Sequence, residues 1–272
     1  MKRYLSIIDS CYSDLTKSEK KVADYIKDIG KDFIYQSIQE VTQAAQVGDA
    51  TVVRFCRKLG FDGFQDLKLH IAMEDFSNEP QTFETYIDTI QNNFKEAIDK
   101  TISLIDEKSL NQAVDVINKA DRIFIFGVGA SGIAALEAQA SFLRVGRNAR
   151  TVHDSHFQAM EAATLNENDV IIALSLSGRT KDIFDALSIA KDNHATVIAI
   201  TSYKLSPIAQ LSDIVLSTSM KESLIDGGSL SAKISQLLVI DILTTGYALK
   251  NKEKSMLLKQ KIAKSIMNKS MD

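Results

Sequence analysis

Apolar residues in the first third of the chain recur at spacings of three and four, the period of a helix with one buried face. In "LTKSEKKVADYI" the set is Val22, Ala23, Ile26 and Ile29. Thr16 and Glu19 precede it as a capping-box pair, in which each side chain accepts the other residue's free backbone N–H. "SIQEVTQAA" repeats the device with Ser37 and Glu40 before Val41, Ala44 and Ala45, and predicts a second, short helix. In "QVGDATVVRFCRKLGFDGFQDLK" the next helical pattern begins only a few residues later, around Gly48. Two helices joined so tightly, with a glycine to relieve the backbone, predict a helix-turn-helix.

The pattern then changes. "EDFSNEPQTFETY", around Pro80, breaks the periodicity and marks a domain boundary. Over 85–105 the positions Ile87, Ile90, Phe94, Ala97 and Ile98 predict a connecting helix, which either packs on a partner subunit or caps the next domain. Beyond it "RIFIFG", "ARTV", "DVIIALS", "ATVIAIT" and "DIVLST" alternate with stretches of helical composition. Continuous apolar strands of this kind belong to a parallel sheet covered by helices on both sides. The predicted fold is an all-α helix-turn-helix domain at 1–76, a linker and connecting helix at 77–106, an α/β doubly wound parallel-sheet domain at 107–250 and a basic tail at 251–272.

Charge refines this picture. The net charge of −3 opposes nonspecific binding of nucleic acid by the whole molecule. Residues 1–75 hold 11 Lys and Arg against 12 Asp and Glu, so DNA binding there needs a concentrated patch. The segment after Gly48 supplies one. Val52, Phe55, Cys56 and Leu59 share one side of its helix; Ala50, Thr51, Arg54, Arg57 and Lys58 share the other, with Asp49 at the start and no further acid before Asp62. Small and polar side chains early, with cations beside them, suit base reading and phosphate binding in a major groove. A plain amphipathic helix with a solvated basic side has the same spacing. Cys56 reads as a small core residue. The tail carries seven Lys from Lys250 to Lys269 against two acids and reads as solvated, with a phosphate contact as the alternative.

Two cysteines and four histidines exclude a thiolate-rich zinc cluster and fit a reducing compartment. Asp9 cuts the first apolar stretch too short for a signal peptide, and no later segment is expected to reach the roughly 20 apolar residues that span a bilayer. The expectation is a cytoplasmic protein without membrane partners.

Two loops carry candidate chemistry. "FIFGVGASGIAALEAQA" places Gly127, Gly129 and Gly132 as GxGxxG between a strand and a helix, a spacing that serves dinucleotides and other phosphates alike. Asp154, 22 residues past Gly132, stands where a ribose-binding acid of an NAD site would be. "ALSLSGRTKDI" argues for a different ligand. Ser175, Ser177, Gly178 and Thr180 stand at another helix start, where hydroxyls and backbone N–H groups cradle a compact phosphomonoester. Hydroxyls that merely cap the helix are the alternative for one such loop alone. Ser131 adds a hydroxyl from the first loop.

Resemblance narrows these readings. "ATVVRFCRKLGFDGFQDLK", with "LTKSEKKVADYI" upstream, resembles the N-terminal domain of RpiR-type transcriptional regulators over about residues 1–75. Many relatives carry a serine where this chain has Gly48; glycine still serves as an N-cap and Asp49 suits the helix dipole, but a serine contact to phosphate is missing. "IFGVGASG", "DSHFQAM", "NDVIIALSLSGRTKDI" and "ATVIAITSYKLSPIAQLSDIVL" resemble the sugar isomerase (SIS) fold, which binds phosphosugars. The resemblance implies ligand contacts from Ser131, Ser175, Ser177 and Thr180, with Gly127, Gly129 and Gly178 allowing close approach. It implies a non-enzymatic regulator with no cofactor, whose partners are double-stranded operator DNA, a sugar phosphate effector and further copies of the chain. A homodimer or higher oligomer would set two reading heads about 34 Å apart or a multiple of that. "LSAKISQLLVIDILTTGYALK" is a dimer surface or a core helix. A sugar-phosphate isomerase is the alternative function; its general base would be Glu161, Glu222, His153 or His156.

Overall fold

The computed structural model describes residues 3–78, 85–219 and 230–267. The chain forms two compact units, of which the second begins at Thr85.

The first unit is helical: α1 (Arg3–Cys11), α2 (Lys17–Ile29), α3 (Ile38–Ala45), α4 (Asp49–Lys58) and α5 (Phe64–Asn78), with 3-10 turns at Tyr12–Asp14 and Gly30–Tyr35. Both capping boxes form. Thr16 N–H donates to Glu19 Oε2 at 2.8 Å and Glu19 N–H to Thr16 Oγ1 at 3.3 Å; Ser37 and Glu40 repeat this at 2.6 and 3.1 Å. The helices enclose one core that includes Val22, Ile26, Phe33, Val41, Val52, Phe55, Cys56 and Leu67. Burial drives the Cys56 thiol pKa up to about 12, which keeps it protonated and inert.

The turn between α3 and α4 departs from expectation. Gly48 lies in ordinary extended backbone at φ −89°, and Gln46 takes the left-handed conformation at φ 53°. Glycine's freedom is therefore unused at Gly48, and the strain of the turn falls on a residue with a side chain.

The second unit opens with α6 (Tyr86–Leu104) and α7 (Glu107–Lys119) and continues β1 (Ile123–Phe126), α8 (Gly129–Arg144), β2 (Arg150–Val152), α9 (Ser155–Ala162), β3 (Val170–Leu174), α10 (Lys181–Asp192), β4 (Thr196–Thr201), α11 (Pro207–Leu211), β5 (Ile214–Ser217), α12 (Leu230–Lys250) and α13 (Lys252–Ile266). All five predicted strands form one parallel sheet of order β2-β1-β3-β4-β5. Alternate strand residues feed opposite cores. Ile123, Ile125, Ile172, Ile198 and Leu216 pack under α7, α8 and α12, while Phe124, Phe126, Ile171, Val197 and Ala199 pack under α9, α10 and α11. Both faces are dry, which is why the strands read as unbroken apolar runs.

One expectation needs amendment, and two others gain detail. α12, at 21 residues, is long and apolar enough to cross a membrane by length and composition. It is instead a core helix, burying Ala232, Val239, Ile240, Leu243 and Tyr247 among its neighbours. The predicted basic tail folds as α13: Ser255 is buried and donates to the Val145 carbonyl at 3.1 Å, and Leu258 lies so close to Gly146 that no β-carbon fits there. Lys269 and Pro80 fall outside the described residues. Finally, Ile87, Ile90 and Ile98 of the connecting helix α6 are exposed at 60%, 50% and 36%; on that apolar pattern Ala97 is the fully buried position.

Candidate functional site

In a parallel sheet, ligands bind beyond the carboxyl ends of the strands, where the order reverses. With the order 2-1-3-4-5 the reversal lies between β1 and β3, and the two loops that leave these adjacent strands are the glycine loop (127–131) and the serine loop (175–180). The structure therefore brings Gly127, Gly129 and Ser131 beside Ser175, Ser177, Gly178 and Thr180.

The helix starts at these loops differ from their neighbours. α9 and α11 are capped by side chains, Asp154 accepting from Phe157 N–H at 3.0 Å and Ser206 from Ala209 N–H at 3.3 Å. α8 begins after Val128 and α10 after Thr180, and neither has a side-chain cap. Thr180 turns its hydroxyl to Ser175 instead, at 3.2 Å. Uncapped N-termini leave backbone N–H groups and the positive end of the helix dipole directed at the crevice.

Local packing explains the glycines. A β-carbon on Gly127 would stand 2.7 Å from the Ser131 carbonyl oxygen, so α8 can lie this close only over glycine. Gly178 has φ 62°, and a β-carbon there would strike the Ser206 hydroxyl and stand 2.9 Å from Thr201 Oγ1. Gly129 has φ 55° with open space around it, which leaves its backbone accessible from the crevice.

Residues that sequence reasoning passed over support the glycine loop. Gln236, fully buried on α12, donates to Ser131 Oγ at 3.1 Å. Gln158, fully buried on α9, donates to the Val152 carbonyl at 2.7 Å and the Gly127 carbonyl at 3.3 Å. Both amide oxygens are buried without a hydrogen-bond partner among the described residues. A polar pair, Ser235–Gln236, inside the apolar run of α12 was the available signal.

The rival assignments find less support. The Asp154 carboxylate is occupied as the α9 cap and offers little to a ribose. Glu161 is ion-paired with Arg150 at 2.6 Å. His153 and His156 are exposed, with His153 beside the Gly132 end of the glycine loop. Glu222 lies outside the described residues.

In the first unit, α4 presents Asp49, Ala50, Arg54, Arg57 and Lys58 to solvent, with Thr51 half-buried. Arg54 donates to Thr51 Oγ1 at 3.3 Å, and Arg57 Nε to the Asp62 carbonyl at 3.3 Å. Lys58 differs. Its ammonium bonds the Asp14 carbonyl at 2.6 Å and Glu19 Oε2 at 3.1 Å, tying the end of α4 to the start of α2. Burial alone would raise the Glu19 pKa; the Thr16 N–H, Lys58 and the Thr16 hydroxyl outweigh it and hold this carboxylate below its ordinary range.

The chain thus joins a helix-turn-helix unit to a doubly wound parallel-sheet unit, the architecture of a two-part regulator. Residues 2–79 match the helix-turn-helix domain of the rpiR family and residues 116–246 the SIS domain. The chain is 38% identical over 254 residues to an uncharacterized HTH-type transcriptional regulator of Haemophilus influenzae, covering 88% of each chain. It is 31% identical over 255 residues to HTH-type transcriptional regulator HexR of Escherichia coli, covering 90% of this chain and 88% of that one. The Vibrio vulnificus NanR protein, solved in complex with ManNAc-6P, matches with a TM-score of 0.87 and 28% identity over 99% of this chain and 100% of that chain. The chain belongs to the RpiR family of helix-turn-helix transcriptional regulators.

Proposed function

We propose that this regulator reads operator DNA with α4 and tunes its affinity through a sugar phosphate bound between the β1 and β3 loops. The observation that carries the effector reading is the pair of uncapped helix N-termini, α8 and α10, at the switch point of the sheet, with Ser131, Ser175, Ser177 and Thr180 around them. Such a site supplies N–H and hydroxyl donors to a phosphoryl group without a metal. The complex of NanR with ManNAc-6P supports a phosphosugar as the ligand class.

On the DNA side, Asp49, Ala50 and Thr51 enter the major groove first, and Arg54 and Arg57 reach bases or phosphates. Lys58 reaches the phosphates only from the rim, since Glu19 holds it. A dimer would present two such helices. Its surface draws on the exposed apolar residues of α6 and α8, of which Ile87, Ile90, Ile102, Ile133, Leu136 and Leu143 are each at least half exposed. A groove of about 670 Å³ between α8 and α12 is lined by Ile133 and Leu136 of this set. Exposed apolar surface of this kind marks an association site. Effector binding then shifts the balance between dimer arrangements by its differential affinity for them. The protein acts in the cytoplasm on DNA and performs no catalysis.

A thermal-shift panel tests the effector class: phosphorylated sugars, ManNAc-6P included, should raise the melting temperature and NAD should not. Ser177→Glu should abolish the rise while gel-shift binding to the DNA flanking the coding region persists. Stabilisation by NAD alone would overturn the proposal. Leu136→Glu should lower the oligomer mass seen by light scattering.

A further inference from the structure

Helix α6 follows in sequence from the connection to the DNA-binding unit, and most of its described side chains are exposed. Ala97 and Thr101 are its two buried ones, both at 0%. A fully buried threonine in such a helix needs a reason, because a valine would fill the same volume without burying a hydroxyl. The reason is Ser219, just past β5. Its N–H donates to Thr101 Oγ1 at 3.3 Å, the two hydroxyls lie 3.1 Å apart, and Ser219 Oγ donates to the Ala97 carbonyl at 3.1 Å.

The contacts continue from there to the serine loop. Thr218, the residue before Ser219, shares a hydrogen bond of 2.7 Å with the Ser202 hydroxyl. Ser202 N–H donates to the Leu176 carbonyl at 3.0 Å, and Thr201 Oγ1 donates to the same oxygen at 3.0 Å. Leu176 sits between Ser175 and Ser177. An unbroken path of hydroxyls and backbone therefore runs from the serine loop, across the ends of β4 and β5, to α6.

We propose that Thr101 is a positioning residue that fastens α6 to the serine loop, so that a change in the loop is felt at the helix leading towards the DNA-binding unit. The regulatory meaning rests on the effector reading above; the mechanical link does not. Contiguity alone does not show coupling, so the test measures it directly.

Amide hydrogen exchange is followed on the full-length protein without ligand, in wild type, Thr101→Val, Thr101→Ser, Ser202→Ala and the Thr101→Val/Ser202→Ala double variant. Thr101→Val should speed exchange at 175–180 as well as at 97–104 by about fivefold, the scale of one lost hydrogen bond. Thr101→Ser, which keeps the hydroxyl, should leave 175–180 within about twofold of wild type, and the double variant should fall well short of the product of the singles. Exchange at 175–180 changed less than threefold by Thr101→Val, equal effects of Val and Ser at that loop, or multiplicative effects would each overturn the link. A failed phosphosugar screen beside intact exchange coupling would remove the effector reading and leave the link standing.

Discussion

Gly178 lies directly against Ser206: no β-carbon can be placed on Gly178 without striking the Ser206 hydroxyl, and Ser206 is itself fully buried as the α11 cap. The close approach is reinforced by Ile208 N–H, which donates to the Gly178 carbonyl at 3.1 Å. Gly178→Ala would add a left-handed backbone penalty to this clash, about 2–4 kcal/mol together. The variant should melt several degrees lower and lose its stabilisation by sugar phosphates in a thermal-shift assay. Operator binding without effector should survive, since α4 belongs to the other unit.

Arg54 and Lys58 look equivalent on the α4 helix but should separate in experiment. Arg54→Ala should weaken operator binding and reduce the slope of log affinity against log salt by about 1, as expected for one lost phosphate contact. Lys58→Ala breaks the bond to Glu19 and to the Asp14 carbonyl, so it should lower the stability of the first unit by about 1–2 kcal/mol. The same two assays, salt-dependent gel shift and chemical denaturation, should rank the variants in opposite order. Equal salt slopes for both would show that Lys58 leaves Glu19 for DNA.

This difference marks how far the sequence could be read. The strands were legible because each is a continuous apolar run, and the capping boxes because their partners are three residues apart. The glycines and hydroxyls of the crevice are likewise local. Lys58 is held from 39 and 44 residues away, Ser131 from 105 and Thr101 from 118, and no local period encodes such pairs. The 3-10 turn at Gly30–Tyr35 buries Phe33 and Ile34 without a helical repeat, so it too was unread. The left-handed Gln46 looks like any helical glutamine until the turn is built.

Gly48→Ser and Gln46→Gly should both stabilise the first unit, for opposite reasons. A β-carbon on Gly48 meets nothing within 4 Å, and the extended backbone there suits a serine N-cap. Serine would add a hydroxyl acceptor for the first turn of α4 and reduce the freedom of the unfolded chain, a gain of about 0.5–1 kcal/mol. Glycine at 46 would remove a left-handed penalty of about 1 kcal/mol. Each should raise the melting temperature of this unit by roughly 2–6 °C. Gly48→Ala, which lacks the hydroxyl, should gain less than Gly48→Ser.

Arg122 and Asp169 lie at the opposite end of the sheet from the crevice, ahead of β1 and β3, and hold those strands in register. The guanidinium grips the fully buried carboxylate through Nε at 2.9 Å and a second nitrogen at 2.5 Å, and Asn166 N–H adds a bond at 2.9 Å. Burial alone would raise the Asp169 pKa; the Arg122 and Asn166 bonds outweigh it and hold the group below the ordinary aspartate range. A carboxyl whose folded pKa is depressed stabilises the fold above its unfolded pKa, about 3.9, and loses that contribution as pH falls through the folded value. The melting temperature of the second unit should therefore hold steady from neutral pH to about 5 and drop below about 4. Asp169→Asn should cost about 2–3 kcal/mol at neutral pH, less than a fully buried pair because Arg122 is 44% exposed. Its gap from wild type should narrow in acid, and a gap unchanged between pH 7 and 3 would show that Asp169 does not titrate with the fold.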